Sequence, residues 1–441
     1  MKNRIVVGLD IGTTKIAALI AEVGGKEIKI KGVGTCPSVG LRRGMVVNIE
    51  HTVESIKKAM QQAELMAGIQ AESVYVGIAG DHVRGINSHA VVAVGRDDRE
   101  ITEDDVRRVI DAAKAINMPM DREIIHVIPQ EFIVDKQEGI QNPIGLTGTR
   151  LEVEAHVVTG AVASAQNIYR CVERAGYKVK DLVLEPLASS YAVLETDEQE
   201  LGVVLIDIGG GTTDIAMFFD GSIRNTDMLG IAGQAVTNDV SICLKIPYDK
   251  AEEIKKKHGC AMASLVDETE SILIPGVGGR DARRENRQFL SKVIEARMME
   301  IFNLVRSVIE KSKLRSMMNA GVVLTGGGSL LEGSAELATE IFQLPVRIGS
   351  PRGFGGLMDA ANSPIYATGI GLIHYGIQKE KSGDDDMEDE GDETPPEGPT
   401  EGDPGETHTD ALEMQSQTGE YQAPLYQKIS KKMKRWTEEF F

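Results

Sequence analysis

Asp10 and Asp207 each close an apolar run and open a turn made of glycines and hydroxyls. The first segment reads Leu9-Asp10-Ile11-Gly12-Thr13-Thr14-Lys15 and continues into Ile16–Ile20. The second reads Ile206-Asp207-Ile208-Gly209-Gly210-Gly211-Thr212-Thr213-Asp214 and continues into Ile215–Phe219. Each is strand, tight turn, strand, so the same device is written twice. Paired carboxylates at such turns suit a hydrated Mg2+, which takes oxygen ligands and keeps most of its waters. Gly12, Gly209, Gly210 and Gly211 let backbone N–H groups approach phosphate oxygens. Thr13, Thr14, Thr212 and Thr213 add hydroxyl donors, and Lys15 adds a positive charge. Two facing hairpins can hold one phosphate tail from both sides, which predicts two homologous lobes around a cleft. An ordinary hairpin with a solvated aspartate explains one copy far better than it explains two.

A third glycine cluster follows the apolar run Val322-Val323-Leu324, in Thr325-Gly326-Gly327-Gly328-Ser329-Leu330-Leu331-Glu332. Ser329 and Glu332 have the spacing of a capping box, which predicts a helix starting there. The flat surface of Gly326, Gly327, Gly328 and Ser329 could lie against an adenine and its ribose.

The elements needed to hold these loops are legible in outline. From Met1 to about Ile377 strands alternate with amphipathic helices, and 441 residues suffice for two lobes with insertions. Thr52–Gly68 has helical periodicity with a glycine stop, and Val74–Gly80 reads as a strand. The block from about Val83 to Thr159 interrupts the first lobe as a small α+β subdomain, with Thr102 and Asp105 spaced to cap a helix. Glu185-Pro186 opens a helix running to Leu194, and a long helix spans about Arg287 to Arg315. The expected division is a first-lobe core over 1–82 completed by 160–194, an insert over 83–159, a second-lobe core over 195–238 and 307–377, and a small second-lobe subdomain over 239–306.

Formal net charge is −19, with no basic domain, which argues against nucleic-acid binding. Cys36, Cys171, Cys243 and Cys260 are scattered without a Cys-x-x-Cys pair, as expected of reduced thiols rather than a zinc site. Asp10 and Lys15 interrupt the apolar N-terminal stretch, so it reads as a buried strand rather than a leader.

The two Asp-Ile-Gly loops, the Leu324–Ser329 segment and Ala367-Thr368-Gly369-Ile370-Gly371-Leu372 resemble the superfamily of actin, DnaK-type chaperones and sugar kinases. Within it, His126-Val127-Ile128-Pro129-Gln130-Glu131-Phe132, Leu187-Ala188-Ser189-Ser190-Tyr191 and His258-Gly259-Cys260-Ala261 are similar to the FtsA family of bacterial cell-division proteins. The resemblance implies an α/β, actin-like (ribonuclease H-like) two-lobed fold whose insert mediates self-assembly into filaments. It places ATP and Mg2+ between the loops, with Asp10 and Asp207 at the metal. It puts Gly233, Gln234 and Asn238 near the ribose and Glu252 with Lys255 beside the nucleoside. Glu185 falls where relatives orient the attacking water, although a plain strand-end glutamate reads equally well, and any ATP turnover is expected to be slow. It also implies that the C-terminal peptide of the ring protein FtsZ docks on about Asp239–Arg306, with Arg297 as a candidate contact, and that later division proteins are recruited.

Past Ile377 the composition turns acidic and rich in Pro and Gly, which reads as a disordered linker over 378–423. Beyond it, Leu425, Ile429, Met433, Trp436 and Phe440 fall on one helical stripe over 424–441, with Lys428, Lys431, Lys432, Lys434 and Arg435 between them. That pattern is an in-plane helix for anionic lipid, with docking back on the body or calmodulin-like recognition as alternatives. The leading functional expectation is a peripheral scaffold on the cytoplasmic face of the inner membrane at the division septum. A small-molecule kinase or a pilus-assembly, peptide-binding ATPase of the same fold are the competing ones.

Overall fold

The computed structural model describes residues 4–381 apart from 26, 96–98 and 277–280, so the linker beyond Lys381 and the terminal amphipathic segment lie outside the described residues. In the first lobe, β1 (Arg4–Ile11) and β2 (Lys15–Gly24) form the predicted hairpin, and β3 (Glu27–Pro37) continues the meander. A two-residue ribbon, β4 (Leu41–Arg42) with β5 (Met45–Val46), leads to α1 (Ile49–Ala67), which Asn48 caps at its start and Gly68 stops in the left-handed region. β6 (Ser73–Ile78) then joins β1 in parallel.

The insert follows as β7 (Arg84–Ala93), α2 (Glu103–Ala113), β8 (Arg122–Val134), β9 (Gln137–Ile140) and β10 (Arg150–Ala161). Its sheet runs β7-β10-β8-β9. Thr102 and Asp105 form the expected capping box on α2. The chain returns to the first lobe through α3 (Val162–Ala175), β11 (Lys178–Leu184) and α4 (Glu185–Val193).

A short helix, α5 (Thr196–Leu201), precedes the second lobe's β12 (Val203–Ile208), β13 (Thr213–Phe219) and β14 (Ser222–Leu229). Then come α6 (Gly233–Leu244), α7 (Tyr248–His258), the ribbon β15 (Ser271–Ile274) with β16 (Arg283–Asn286), and the 26-residue α8 (Arg287–Ser312). β17 (Gly321–Thr325), α9 (Ser334–Phe342) and β18 (Val346–Ile348) complete that sheet. The duplication is visible in strand order: β3-β2-β1-β6-β11 in one lobe and β14-β13-β12-β17-β18 in the other, each an antiparallel meander followed by two parallel strands. Strands buried on both faces explain the apolar runs, since β12 is fully buried along its length.

Two boundaries differ from expectation. After β18 the chain crosses back: β19 (Gly355–Gly356) pairs with β3, α10 (Met358–Ala361) follows, and α11 (Ala367–Lys381) lies in the first-lobe core with Tyr75, Leu184, Leu187 and Ala188. Residues 355–377 therefore belong with the first lobe rather than the second. A glycine-rich helix suits that place, because Gly371 sits so close to α4 that a Cβ there would lie 1.8 Å from the Ala188 carbonyl oxygen. The helix also runs four residues beyond Ile377, held by Lys379 Nζ to Asp181 Oδ2 at 3.0 Å and by Glu380 to Arg4 and Lys180 at 2.7 and 2.8 Å. The acidic composition thus begins after the last buried turn, not at 378. Among the described residues no helix is long and apolar enough to cross a membrane.

Candidate functional site

The two hairpin turns are built alike. Gly12 N–H donates to Lys15 O at 3.0 Å and Gly209 N–H donates to Thr212 O at 3.0 Å. The turns also interdigitate. A Cβ on Gly210 would sit 2.3 Å from Thr14 Cγ2, and one on Gly211 would sit 2.6 Å from Thr13 Oγ1. The second and third residues of one turn thus meet the third and second of the other, as a pseudo-twofold axis requires. Threonines from the first lobe fill the space that glycines leave in the second. Thr13 Oγ1 accepts from Gly44 N–H at 2.9 Å, leaving its own proton to donate.

Beneath the turns lies a group of buried carboxylates. Asp10 is held 3.5 Å from Lys15 Nζ, and Lys15 also donates to the Ile365 carbonyl and lies 4.8 Å over the Tyr366 ring. Asp207 accepts from Ser189 Oγ at 2.8 Å, with Thr368 Oγ1 at 3.5 Å. Burial pushes Asp10 above the usual carboxylate range, partly offset by Lys15. Burial likewise raises Asp207 to about 6, with Ser189 opposing and Asp10 adding to the rise. Glu185 opens α4 directly after β11, and Gly77 leaves room for it: a Cβ there would be 3.0 Å from Glu185 Cγ. Burial, then Asp10, Asp214 and Asp207, raises its carboxyl well above the ordinary range. Glu185 is therefore half-buried beside the aspartates rather than fully on the surface.

Asp214 belongs to the same group and was not singled out from sequence. It pairs directly across the hairpin with Asp207, where the first lobe has Ala17 opposite Asp10. Its Oδ1 has no hydrogen-bond partner and its carboxyl is raised by burial and by Asp207. A carboxylate inside an otherwise apolar strand was the available signal.

These carboxylates fit a hydrated Mg2+. Asp214 Oδ1 is buried without a hydrogen-bond partner on the residue paired with Asp207, so the site offers the oxygen-only donors that suit an ion held through its waters. Asp10 and Asp207 would hold it, supplying the negative charge that a phosphate-bound cation requires.

On the nucleoside side, Gly233 N–H donates to Gly209 O at 3.1 Å and Gln234 N–H to Gly210 O at 2.8 Å, which ties α6 to the second turn. Asn238 is exposed one turn further on. Glu252 and Lys255 pair at 2.7 Å, and Lys255 also reaches Thr237 Oγ1 at 2.7 Å and Gly233 O at 3.1 Å. Gly326, at φ +78°, lies against Asp207: a Cβ would be 2.2 Å from its Oδ1. Gly328 packs on Ile208 in the same way, whereas Gly327 meets only Ile365 at 3.5 Å and leaves an open face.

Three expectations are corrected here. Ser329 does not cap a helix: its Oγ donates to Gly326 O at 2.7 Å within a 3-10 turn, Glu332 instead pairs with Arg287, and α9 begins only at Ser334. Thr213 does not face the cleft. It is the first residue of β13, fully buried, and its hydroxyl donates to Ile231 O at 2.8 Å. Arg297 is not a free cation, because Asp239 takes it at 2.6 and 3.1 Å and Glu300 takes its remaining nitrogen. Beside it lies a groove between α6 and α8, about 380 Å3, lined by Ile242, Cys243, Lys292, Val293 and Ala296.

Two duplicated lobes meeting at facing glycine turns over buried aspartates define the actin-like class. The PilM-PilN type IV pilus biogenesis complex contains a chain of the same fold, with TM-score 0.62 at 17% identity over 84% of this chain and 98% of that one. MreB5 of Spiroplasma citri bound to ADP gives TM-score 0.53 at 15% identity, covering 86% and 98%. Sequence comparison is more specific. Residues 204–371 match the family described as cell division protein FtsA, and 80–159 match the SHS2 domain inserted in FtsA. The FtsA of Pseudomonas aeruginosa is 49% identical over 382 residues, 86% of this chain and 91% of that protein. The FtsA of Escherichia coli K12 is 44% identical over 394 residues, covering 88% and 93%. The chain belongs to the FtsA family of actin-like cell-division proteins.

Proposed function

We propose that this chain binds Mg-ATP between its lobes, assembles into filaments and tethers the FtsZ ring to the inner face of the cytoplasmic membrane. The observation that carries the nucleotide reading is the interdigitation of the two glycine turns directly above Asp10 and Asp207. Backbone N–H groups of Thr13–Lys15 and Gly210–Thr212 cradle the phosphates, and the two aspartates hold hydrated Mg2+. Gly233, Gln234, Asn238, Glu252, Lys255 and Gly326–Ser329 surround the nucleoside. Glu185, when ionised, orients a water toward the terminal phosphate. Burial and the neighbouring Asp10, Asp214 and Asp207 shift its carboxyl toward the protonated form.

The terminal stripe Leu425, Ile429, Met433, Trp436 and Phe440, with Lys428, Lys432 and Arg435, binds anionic lipid. One such helix binds marginally, so several on one filament hold by avidity. The FtsZ C-terminal peptide enters the α6–α8 groove, with exposed Lys292 meeting its acidic groups in place of Arg297. Later division proteins are recruited by the assembled form. Electron microscopy on anionic lipid monolayers with and without ATP tests the proposal. Membrane-bound filaments that require ATP support it, and unassembled protein that leaves the lipid bare overturns it.

A further inference from the structure

The insert is rooted in the first lobe but bonded to the second. Its β7 and β10 are continuous with first-lobe chain, and His126 Nε2 on β8 accepts from Leu184 N–H at 3.0 Å, the residue before Glu185. From the same subdomain, Glu131 pairs with Arg224 at 3.7 Å and three further side chains hydrogen-bond to β14, the outer strand of the second-lobe sheet. Gln130 Nε2 donates to Ile223 O at 2.7 Å and to Arg224 O at 3.3 Å. Asn87 Nδ2 donates to Arg224 O at 3.3 Å. His156 lies between Asn87 Oδ1 at 2.6 Å and Thr226 Oγ1 at 2.8 Å.

The seam is specific. With Asn87 presenting its oxygen, His156 Nδ1 carries the proton and Nε2 accepts from the Thr226 hydroxyl. Burial depresses the imidazole to about 4, so it stays in this neutral form. Gly85 has to be glycine here, since a Cβ would lie 2.5 Å from both His156 Nε2 and Thr226 Oγ1. Beneath these bonds Val83, Val158 and Ile128 of the insert share one apolar cluster with Phe218 and Ile223 of the second lobe. Alongside runs a polar cavity of about 430 Å3, bordered by Asn87, Gln130, Glu131, Arg224 and Asn225. Water there can replace the seam's bonds as they part, which makes the seam separable rather than permanent.

We infer that the insert is a second, noncovalent tie between the lobes, and that parting β14 from Asn87, Gln130 and His156 gates nucleotide entry and release. The turns of the two lobes touch through Thr14 and Gly210, so a nucleotide reaches the carboxylates only when the lobes separate. At the cleft that motion is opposed by the Ser189 and Thr368 hydroxyls on Asp207 and by apolar residues that both lobes contribute to one cluster. The insert resists it as well, because it must leave either β14 or its seat on Leu184. Loosening the seam therefore speeds association and dissociation together.

The inference rests on the reading that ATP occupies the cleft. The test is stopped-flow binding and chase of a fluorescent ATP analogue with Mg2+ on the full-length chain. His156→Ala should raise both rate constants about tenfold and Gln130→Ala about threefold, each losing buried hydrogen bonds of the seam. His156→Gln, which keeps a donor and an acceptor, should stay within about twofold of the parent. Unchanged rates in folded variants overturn the inference, as does faster dissociation with unchanged association, which marks local damage to the phosphate site. If His156→Ala does not fold, Asn87→Ala at the seam's exposed edge and Gln130→Ala carry the same test. A parent chain that binds no analogue refutes the nucleotide reading itself, and the gate with it.

Discussion

Ser189→Ala isolates one hydrogen bond on which metal binding should depend. Ser189 is fully buried on α4, and its hydroxyl is the closest donor to Asp207, at 2.8 Å. A hydrogen bond to a charged group contributes about 1.5–3 kcal/mol. Thr368 Oγ1, 3.5 Å from the same oxygen and 3.1 Å from Ser189 Oγ, can turn in and recover part of it. The expected net loss is about 1–2 kcal/mol, or roughly a 5- to 30-fold change in whatever requires ionised Asp207. Asp207 already titrates at about 6, so removing the donor raises it by roughly another unit, to the working pH. Mg2+ needs the carboxylate deprotonated. At pH 6 the carboxyl would then be ionised in about a tenth of the molecules instead of about half, so calorimetric titration of ATP at that pH should show about fivefold weaker binding with Mg2+ and less than about a twofold change in EDTA. Raising the pH to about 8.5 should restore most of the Mg-dependent affinity, since the carboxyl is then ionised in both proteins. Equal losses with and without Mg2+, or no recovery at high pH, would refute the reasoning.

Other outcomes follow from the same geometry. Asp207 is raised from 3.8 to about 6, so the folded chain holds a proton that the unfolded chain releases, and nucleotide-free stability falls as pH rises through that window. Asp207→Asn should then exceed the parent by up to about 3 kcal/mol at pH 7 in EDTA and show no advantage near pH 4, as read by denaturant unfolding. Gly371→Ala forces a methyl against the Ala188 carbonyl and should lower stability by about 2–3 kcal/mol, seen as a drop in Tm of several degrees; an unchanged Tm would mean α11 and α4 pack otherwise. Trp436→Glu replaces the largest apolar side chain of the terminal stripe and should shift the protein from pellet to supernatant in anionic liposome sedimentation.

Much of the architecture is local and so could be read from residue order. The Asp10 and Asp207 turns are short-range devices, and the hairpins, α1 and the capped α2 formed where periodicity and caps put them. What depends on distant packing could not be read. The composition of α11 is compatible with either lobe; only the fit of Gly369 and Gly371 against Leu19 and Ala188 decides for the first. Ser329 and Glu332 have capping-box spacing, yet Arg287, 45 residues away in sequence, takes the glutamate. Thr212 and Thr213 are adjacent and chemically alike, and strand alternation sends Thr213 to the Ile231 carbonyl instead of the cleft. For Arg297, the candidate peptide contact, residue order does not show that Asp239 approaches it from another helix. Spacing places a group on an element; it does not say what waits on the other side.

The most direct test of the account is a crystal structure of the full-length chain with Mg2+ and a non-hydrolysable ATP analogue. The account requires the phosphates between Gly12–Lys15 and Gly209–Thr212, with the metal's waters bound to Asp10 and Asp207. Nucleotide bound elsewhere, or a metal remote from both aspartates, would contradict it.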